Sequence, residues 1–125
     1  MFKQGTSTST DGLDIAVEHG EEGAIVRLHG RLVIDSSPEL RDRLLAMLQG
    51  EPPKAILVDL TEVVYIDASG IATLLEALKI ARNRQTMFCV KGIQGRISRL
   101  FQATGLMNLF EGNGCRSASS ELKVS

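Results

Sequence analysis

The sequence predicts an α/β protein: a single domain with a mixed β-sheet of four to five strands and helices packed on it. Three observations predict it. Apolar residues alternate with period two near the N-terminus, then recur at helical spacing further along. Short continuous apolar runs, expected of strands covered on both faces, separate the helical stretches. Helix-starting and helix-stopping residues stand at the junctions. The resulting order, β-β-α-β-α-β-α, is a hairpin followed by strand–helix alternation, which places parallel strands beside antiparallel ones.

The elements follow in order. Residues 1–12 include a Ser/Thr/Asp/Gly-rich stretch from Thr6 to Gly12 and read as a disordered lead-in. Leu13, Ile15 and Val17 alternate with Asp14, Ala16 and Glu18, a half-buried strand. Gly20-Glu21-Glu22-Gly23 is a turn, and Ala24, Val26 and Leu28 resume the alternation, closing a β-hairpin. Ser36-Ser37-Pro38-Glu39 starts a helix. A serine caps the free N–H groups, proline loses nothing in the first turn, and Glu39 stands at the capping-box spacing from Ser36. Leu40, Leu44, Leu45 and Leu48 form its apolar stripe; Gly50 and Pro52-Pro53 end it.

Ala55-Ile56-Leu57-Val58 is a buried strand, and after a turn Val63-Val64-Tyr65-Ile66 is a second short apolar run. Ile71, Leu74, Leu75 and Leu78 mark the second helix, starting near Ser69. Thr86 to Val90 is another strand; Ile93, Ile97, Leu100 and Phe101 mark a third helix, starting near Gln94, with Gly105 at its end and Leu106 packing back. Leu109-Phe110 is read as a short edge strand and residues 111–125 as a polar tail, with a helical turn over Ser119 to Lys123. The expected core includes Leu44, Leu48, Val58, Ile66, Leu74, Leu78, Val90 and Leu100.

Composition narrows the function classes. The chain has 125 residues, 43% hydrophobic and 23% charged, enough for one continuous core and unlike a disordered chain. A net charge of −1, with Lys and Arg spread along the chain, argues against a nucleic-acid or anionic-membrane footprint. No apolar run approaches the ~20 residues of a membrane span. The N-terminus has no apolar signal region, so a cytoplasmic protein is expected. Cys89 sits in an apolar strand and Cys115 in the polar tail; without metal spacing they read as a core thiol and a loop thiol in a reducing compartment. No glycine-rich phosphate loop is present, so no cofactor is expected.

The informative stretch is Tyr65-Ile66-Asp67-Ala68-Ser69-Gly70 leading into the second helix. A serine there is most simply an N-cap, and Asp67 a turn residue whose carboxylate accepts from nearby N–H groups. The place also suits a phosphate. Helix N-termini present unbonded N–H groups and a positive dipole end, while a phosphoserine carries about −1.5 to −2 charges. Gly70 and Ala72 leave Ser69 uncrowded. A partner packed there would meet a dianion after esterification, which makes a binary switch.

Several segments together resemble the STAS family (sulphate transporter and anti-sigma-factor antagonist), specifically its free-standing bacterial antagonists. These are Gly30-Arg31-Leu32; Ser37-Pro38-Glu39-Leu40-Arg41; Leu57-Val58-Asp59-Leu60; Tyr65 to Ile71 with Leu74-Leu75; and Arg99 to Leu106. The resemblance spans residues 13–110, a STAS-like domain. It implies that Ser69, just before the motif glycine, accepts phosphate, with Asp67 and Gly70 supporting the site. The unphosphorylated form would bind an anti-sigma factor that is also a serine kinase of the histidine-kinase-like ATPase type, releasing a sigma factor. A PP2C-type phosphatase would reset it. The contact surface is expected from Asp35, Ser36, Ala68, Ser69, Gly70 and Thr73, on a monomer or weak dimer. Two positions depart from the family pattern. Ala68 replaces the motif's first serine, making Ser69 the sole acceptor in the motif. Val33 stands where many relatives have aspartate, with Asp35 two residues later.

Two other readings compete. An enzyme would use Ser69 as nucleophile, His19 or His29 as base and Asp67 as orienter, but the motif is not Gly-x-Ser-x-Gly and neither histidine is suitably spaced. A non-switching interaction module, of the stressosome-scaffold or lipid-transport-permease-partner kind, shares the fold. Catalysis is not expected.

Overall fold

The computed structural model describes residues 6–10 and 12–106. Five strands and three helices follow in order: β1 (Thr6–Thr10), β2 (Leu13–Gly20), β3 (Gly23–Leu32), α1 (Ser37–Leu48), β4 (Ala55–Ile66), α2 (Ala68–Asn83), β5 (Met87–Lys91) and α3 (Gly95–Ala103). The sheet runs β1-β2-β3-β4-β5. The first two pairings are antiparallel and the last two parallel. That is the mixed sheet expected of a hairpin followed by two strand–helix–strand units.

The disordered lead-in is corrected over part of its length. Thr6–Thr10 pairs with β2, from Thr6 opposite Val17 to Thr10 opposite Leu13. Alternating threonine and serine has no apolar face to betray a strand, yet β-branched threonine suits extended backbone beside an existing edge. Leu109-Phe110, Cys115 and the Ser119 to Lys123 turn lie outside the described residues.

The hairpin buries Leu13, Ile15, Val17, Val26 and Leu28 on one face, as the alternation requires. Leu40, Leu44 and Leu48 of α1, Leu74, Ala77, Leu78 and Ala81 of α2, and Ile97 and Phe101 of α3 join the same cluster. All three helices therefore cover one side of the sheet. Val90 and Leu100, expected in the core, are half-buried and pack at its margin. On the opposite face Leu57 and Cys89 are also buried, with Ile25 against them. Coverage of both faces explains the unbroken apolar run at the start of β4.

Two sequence readings of local structure need correction. Thr61 and Glu62 do not turn the chain; β4 continues to Ile66. Relative to β3 it gains one residue between the Arg27–Asp59 and His29–Glu62 pairs, and another between Gly30–Val63 and Arg31–Tyr65. These are β-bulges, and the Asp59 carboxylate accepts from the Thr61 N–H at 2.9 Å beside the first. An aspartate folding back on its own backbone gives the same local signal in a turn as in a bulge. The Ser36–Glu39 capping box is also absent. Ser36 stands at the N-cap of α1 but makes no side-chain cap bond, its hydroxyl being engaged in the preceding loop. At Gly30, φ is +117° and a Cβ would lie 1.9 Å from the Gly12 carbonyl oxygen. The first residue of the Gly30-Arg31-Leu32 segment thus lets the chain before β2 close on β3, where Arg31 N–H donates to Gly12 O at 3.0 Å.

Candidate functional site

Parallel strands β3 and β4 end at the same edge of the sheet, each followed by a helix that packs back. Such edges are where α/β sheets present their sites. Three segments meet there: the 33–36 loop after β3, the end of β4, and the first turn of α2.

Asp67 joins them. It is the N-cap of α2, in extended conformation, and its Oδ1 accepts from the Gly70 N–H at 3.1 Å. Its Oδ2 accepts from the Ile34 N–H in the loop, also at 3.1 Å. Its own N–H donates to Leu32 O at 3.2 Å, and its carbonyl accepts from the Ile71 N–H at 3.1 Å. One carboxylate therefore ties the β3–α1 loop to the head of α2. The loop is locked from within by Ser36, whose buried hydroxyl accepts from Val33 N–H at 3.0 Å and donates to Arg31 O at 2.8 Å. Ser37 adds a bond to Val33 O at 2.7 Å.

The serine expected at the cap is the second residue of α2 instead, because the aspartate two places earlier takes the capping role. Ser69 is half-buried, and its hydroxyl makes no hydrogen bond among the described residues. The N–H groups of Ala68 and Ser69 are likewise unbonded among them. A hydroxyl with no structural task thus lies beside two spare donors at a positive helix end. Thr73 Oγ1 donates to the Ser69 carbonyl at 3.0 Å, one turn on.

Burial divides the expected contact residues. Asp35 and Ala68 are exposed and Ser69 is half-buried. Ser36, Gly70 and Thr73 are buried, and their hydrogen bonds and close packing build the site around the exposed residues. Gly70 does more than leave room for the hydroxyl. A Cβ there would lie 2.7 Å from Leu32 O and 2.8 Å from Ile66 Cγ1, so its hydrogen lets α2 close onto the ends of β3 and β4.

Three surface residues escaped the sequence reading. Ile34 is 66% exposed, Val64 74% and Tyr65 46%, all at this end of the sheet. The Arg31 guanidinium lies over the Tyr65 ring, 5.5 Å from its centroid. Val64 and Tyr65 belong to a short apolar run whose sequence does not say which way they face; the bulges that turn them outward leave no mark in hydrophobicity. The enzyme constellation does not assemble. His29 pairs with Asp14 at 3.6 Å on the sheet face away from the helices, His19 is exposed beside the hairpin turn, and both Asp67 oxygens are held by backbone N–H groups. Among the described residues there is no cluster of metal-ligating side chains, and no helix is long and apolar enough to cross a membrane.

A family model described as "Mlab, STAS domain" matches residues 15–111. The chain belongs to the STAS domain family. Curated relatives of this STAS domain include an anti-sigma-B factor antagonist of Listeria monocytogenes, 32% identical over 82 residues, covering 66% of this chain and 71% of the relative. The anti-sigma-B factor antagonist of Staphylococcus aureus is 33% identical over 88 residues, covering 70% and 81%. Solved structures share the fold. An anti-sigma factor antagonist from Mycobacterium paratuberculosis superposes with a TM-score of 0.72 at 22% identity, covering 80% of this chain and 84% of that one. The Bacillus cell fate determinant SpoIIAA in its phosphorylated form does so at 0.63 and 17% identity, covering 74% and 84%.

Proposed function

We propose that this STAS domain is a cytoplasmic anti-sigma-factor antagonist, and that phosphorylation of Ser69 switches its binding off. The observation that carries the reading is a Ser69 hydroxyl that, like the Ala68 and Ser69 N–H groups beside it, makes no hydrogen bond among the described residues, at the end of the sheet where Ile34, Val64 and Tyr65 are exposed. The names of the curated relatives support it, as does a fold shared with SpoIIAA, whose structures are described as an anti-sigma factor antagonist and as a phosphorylated form.

The partner is an anti-sigma factor that is also a serine kinase of the histidine-kinase-like ATPase type. The Ser69 oxygen attacks the γ-phosphorus of ATP held by that kinase, ADP leaves, and the hydroxyl proton passes to a base on the kinase. A PP2C-type phosphatase reverses the change by hydrolysis, releasing inorganic phosphate. Asp67 and Gly70 position the acceptor; Asp35 and Ala68 stand with it at the contact. The chain itself binds and does not turn over substrate.

The test is to express each histidine-kinase-like ATPase of the host and measure its affinity for three forms: unmodified, Ser69-phosphorylated, and Ser69→Ala. The serine hydroxyl has no hydrogen-bond partner among the described residues, so Ser69→Ala folds with a stability change below ~0.5 kcal/mol. It binds as the unmodified form does and accepts no phosphate. Phosphorylation lowers affinity at least ~100-fold, about 2.8 kcal/mol. Equal affinity for the free and phosphorylated forms removes the switch. A second reading, a constitutive interaction module, is favoured by the Mlab description of the matching family model. It predicts no phosphate on Ser69 in intact-mass analysis of protein from the native host.

A further inference from the structure

We propose that the groove between the end of β4 and α3 is a second half of the partner contact. It takes from the anti-sigma factor a bulky apolar side chain next to a carboxylate. This rests on the reading above and extends it beyond the phosphosite.

The groove is lined by Val64, Tyr65 and Ile66 of β4 and by Arg96, Ile97 and Leu100 of α3. It exists because the strands have unequal reach. β5 stops pairing at Asp59–Lys91, whereas β4 runs on to Ile66, so on its β5 side the end of β4 lies beside a helix instead of a strand. Its volume is about 210 Å³, less than the ~300–1,000 Å³ of small-molecule sites, and its walls are largely apolar. That size suits a side chain presented by another protein rather than a nucleotide or metabolite.

Charge identifies what accompanies the side chain. Arg96 is the sole charged residue of the lining among the described residues. Arg31 packs over Tyr65 at the groove, and Arg99 stands three residues beyond Arg96 on α3. None of the three is paired with a carboxylate among the described residues, whereas Arg27 and Arg41 each are. An apolar slot edged by Arg96, with Arg31 and Arg99 nearby and none of them paired among the described residues, is complementary to an apolar anchor beside Asp or Glu. The slot and the phosphosite are built on adjoining segments, since Ile66 of the lining directly precedes the Asp67 cap. One docking protein can therefore reach both, and arginine and aromatic side chains are the types that dominate such contacts.

The test uses Val64→Glu and Arg96→Glu, both at exposed positions outside the Ser69 cluster, against the anti-sigma factor that binds the unmodified chain. Each variant should keep the wild-type melting temperature and lose at least tenfold in affinity. Arg96→Lys should retain most of it. Arg96→Glu should also flatten the salt dependence of binding. A photo-crosslinker at position 64 should capture an anti-sigma-factor peptide containing Asp or Glu. Unchanged affinity in both glutamate variants overturns the groove while leaving the Ser69 switch standing. Crosslinking to a second copy of this chain overturns the assigned occupant. Failure of every anti-sigma factor to bind the unmodified chain defeats both readings together.

Discussion

Replacing Asp67 separates two tasks that one carboxylate performs. Asp67→Ala removes the acceptor for Gly70 N–H, which is the α2 cap, and the acceptor for Ile34 N–H in the facing loop. Loss of an N-cap costs about 0.5–2 kcal/mol. Loss of the second bond adds about 0.5–1.5 kcal/mol, toward the low end because the Ile34 side of the loop is exposed and water can replace the acceptor. The sum is about 2 kcal/mol. Asp67→Asn should cost less, because asparagine caps helices well. Its single carbonyl oxygen serves one N–H, and its amide nitrogen turns a donor toward the other. The cap should survive and the loop tie should fail. Urea unfolding measures the two costs, and amide hydrogen exchange tells them apart. In Asp67→Asn the Ile34 amide should exchange faster while Gly70 stays protected; in Asp67→Ala both should accelerate. An Asp67→Ala cost below ~0.5 kcal/mol, or an Ile34 amide indifferent to both changes, would refute the clamp.

Three further outcomes follow from packing and charge. Gly70→Ala should destabilise by about 1–3 kcal/mol in denaturant unfolding, because its methyl meets the Leu32 carbonyl, which is backbone and yields little. Leu74→Ala, at a fully buried position in the common core, should cost about 2–5 kcal/mol in the same assay, and a cost below ~0.5 would misplace the α2 face. The third concerns pH. Arg41 Nε donates to Glu76 across α1 and α2 at 2.8 Å, and this bond holds the Glu76 carboxyl below its ordinary value. A carboxyl depressed in the folded state stabilises above its unfolded pKa of about 4.3 and loses that contribution as pH falls through the folded value. Glu76→Gln should therefore lower stability slightly at neutral pH, converge with wild type in acid, and show a difference that salt diminishes.

The legible parts of this molecule are those where one residue type has one physical consequence. Leu13, Ile15 and Val17 alternate because one face of β2 is buried, and Leu74 and Leu78 recur because one face of α2 is. The Asp67–Gly70 segment was legible as a helix start for the same reason. Errors arose where one signal has two solutions. Ser36 and Asp67 are both good caps by type, but only Asp67 caps; Ser36 finds better partners in the loop behind it. Asp59 with Thr61 reads equally as a turn or a bulge, and the bulges decide that Val64 and Tyr65 face outward. The surface around Ser69 was therefore invisible where it depends on strand register, a property of two segments distant in sequence.

The same geometry explains how a modification at Ser69 could act on a partner without disturbing its own fold. The hydroxyl makes no hydrogen bond among the described residues, so esterifying it breaks none of the bonds they share. The Gly70 N–H is already taken by Asp67, but the Ala68 and Ser69 N–H groups remain for an anion. Their attraction, with the helix dipole, is worth about 0.3–1 kcal/mol at an exposed site. The Asp67 carboxylate opposes it, but both its oxygens are engaged by N–H donors that disperse its charge. The two effects are of similar size and opposite sign, so phosphorylation should leave unfolding free energy within about 1 kcal/mol of the unmodified value. Urea unfolding of the two forms side by side measures this. A phosphoprotein that is several kcal/mol less stable would relocate the switch from the interface to the fold, because binding would then fail through unfolding of α2.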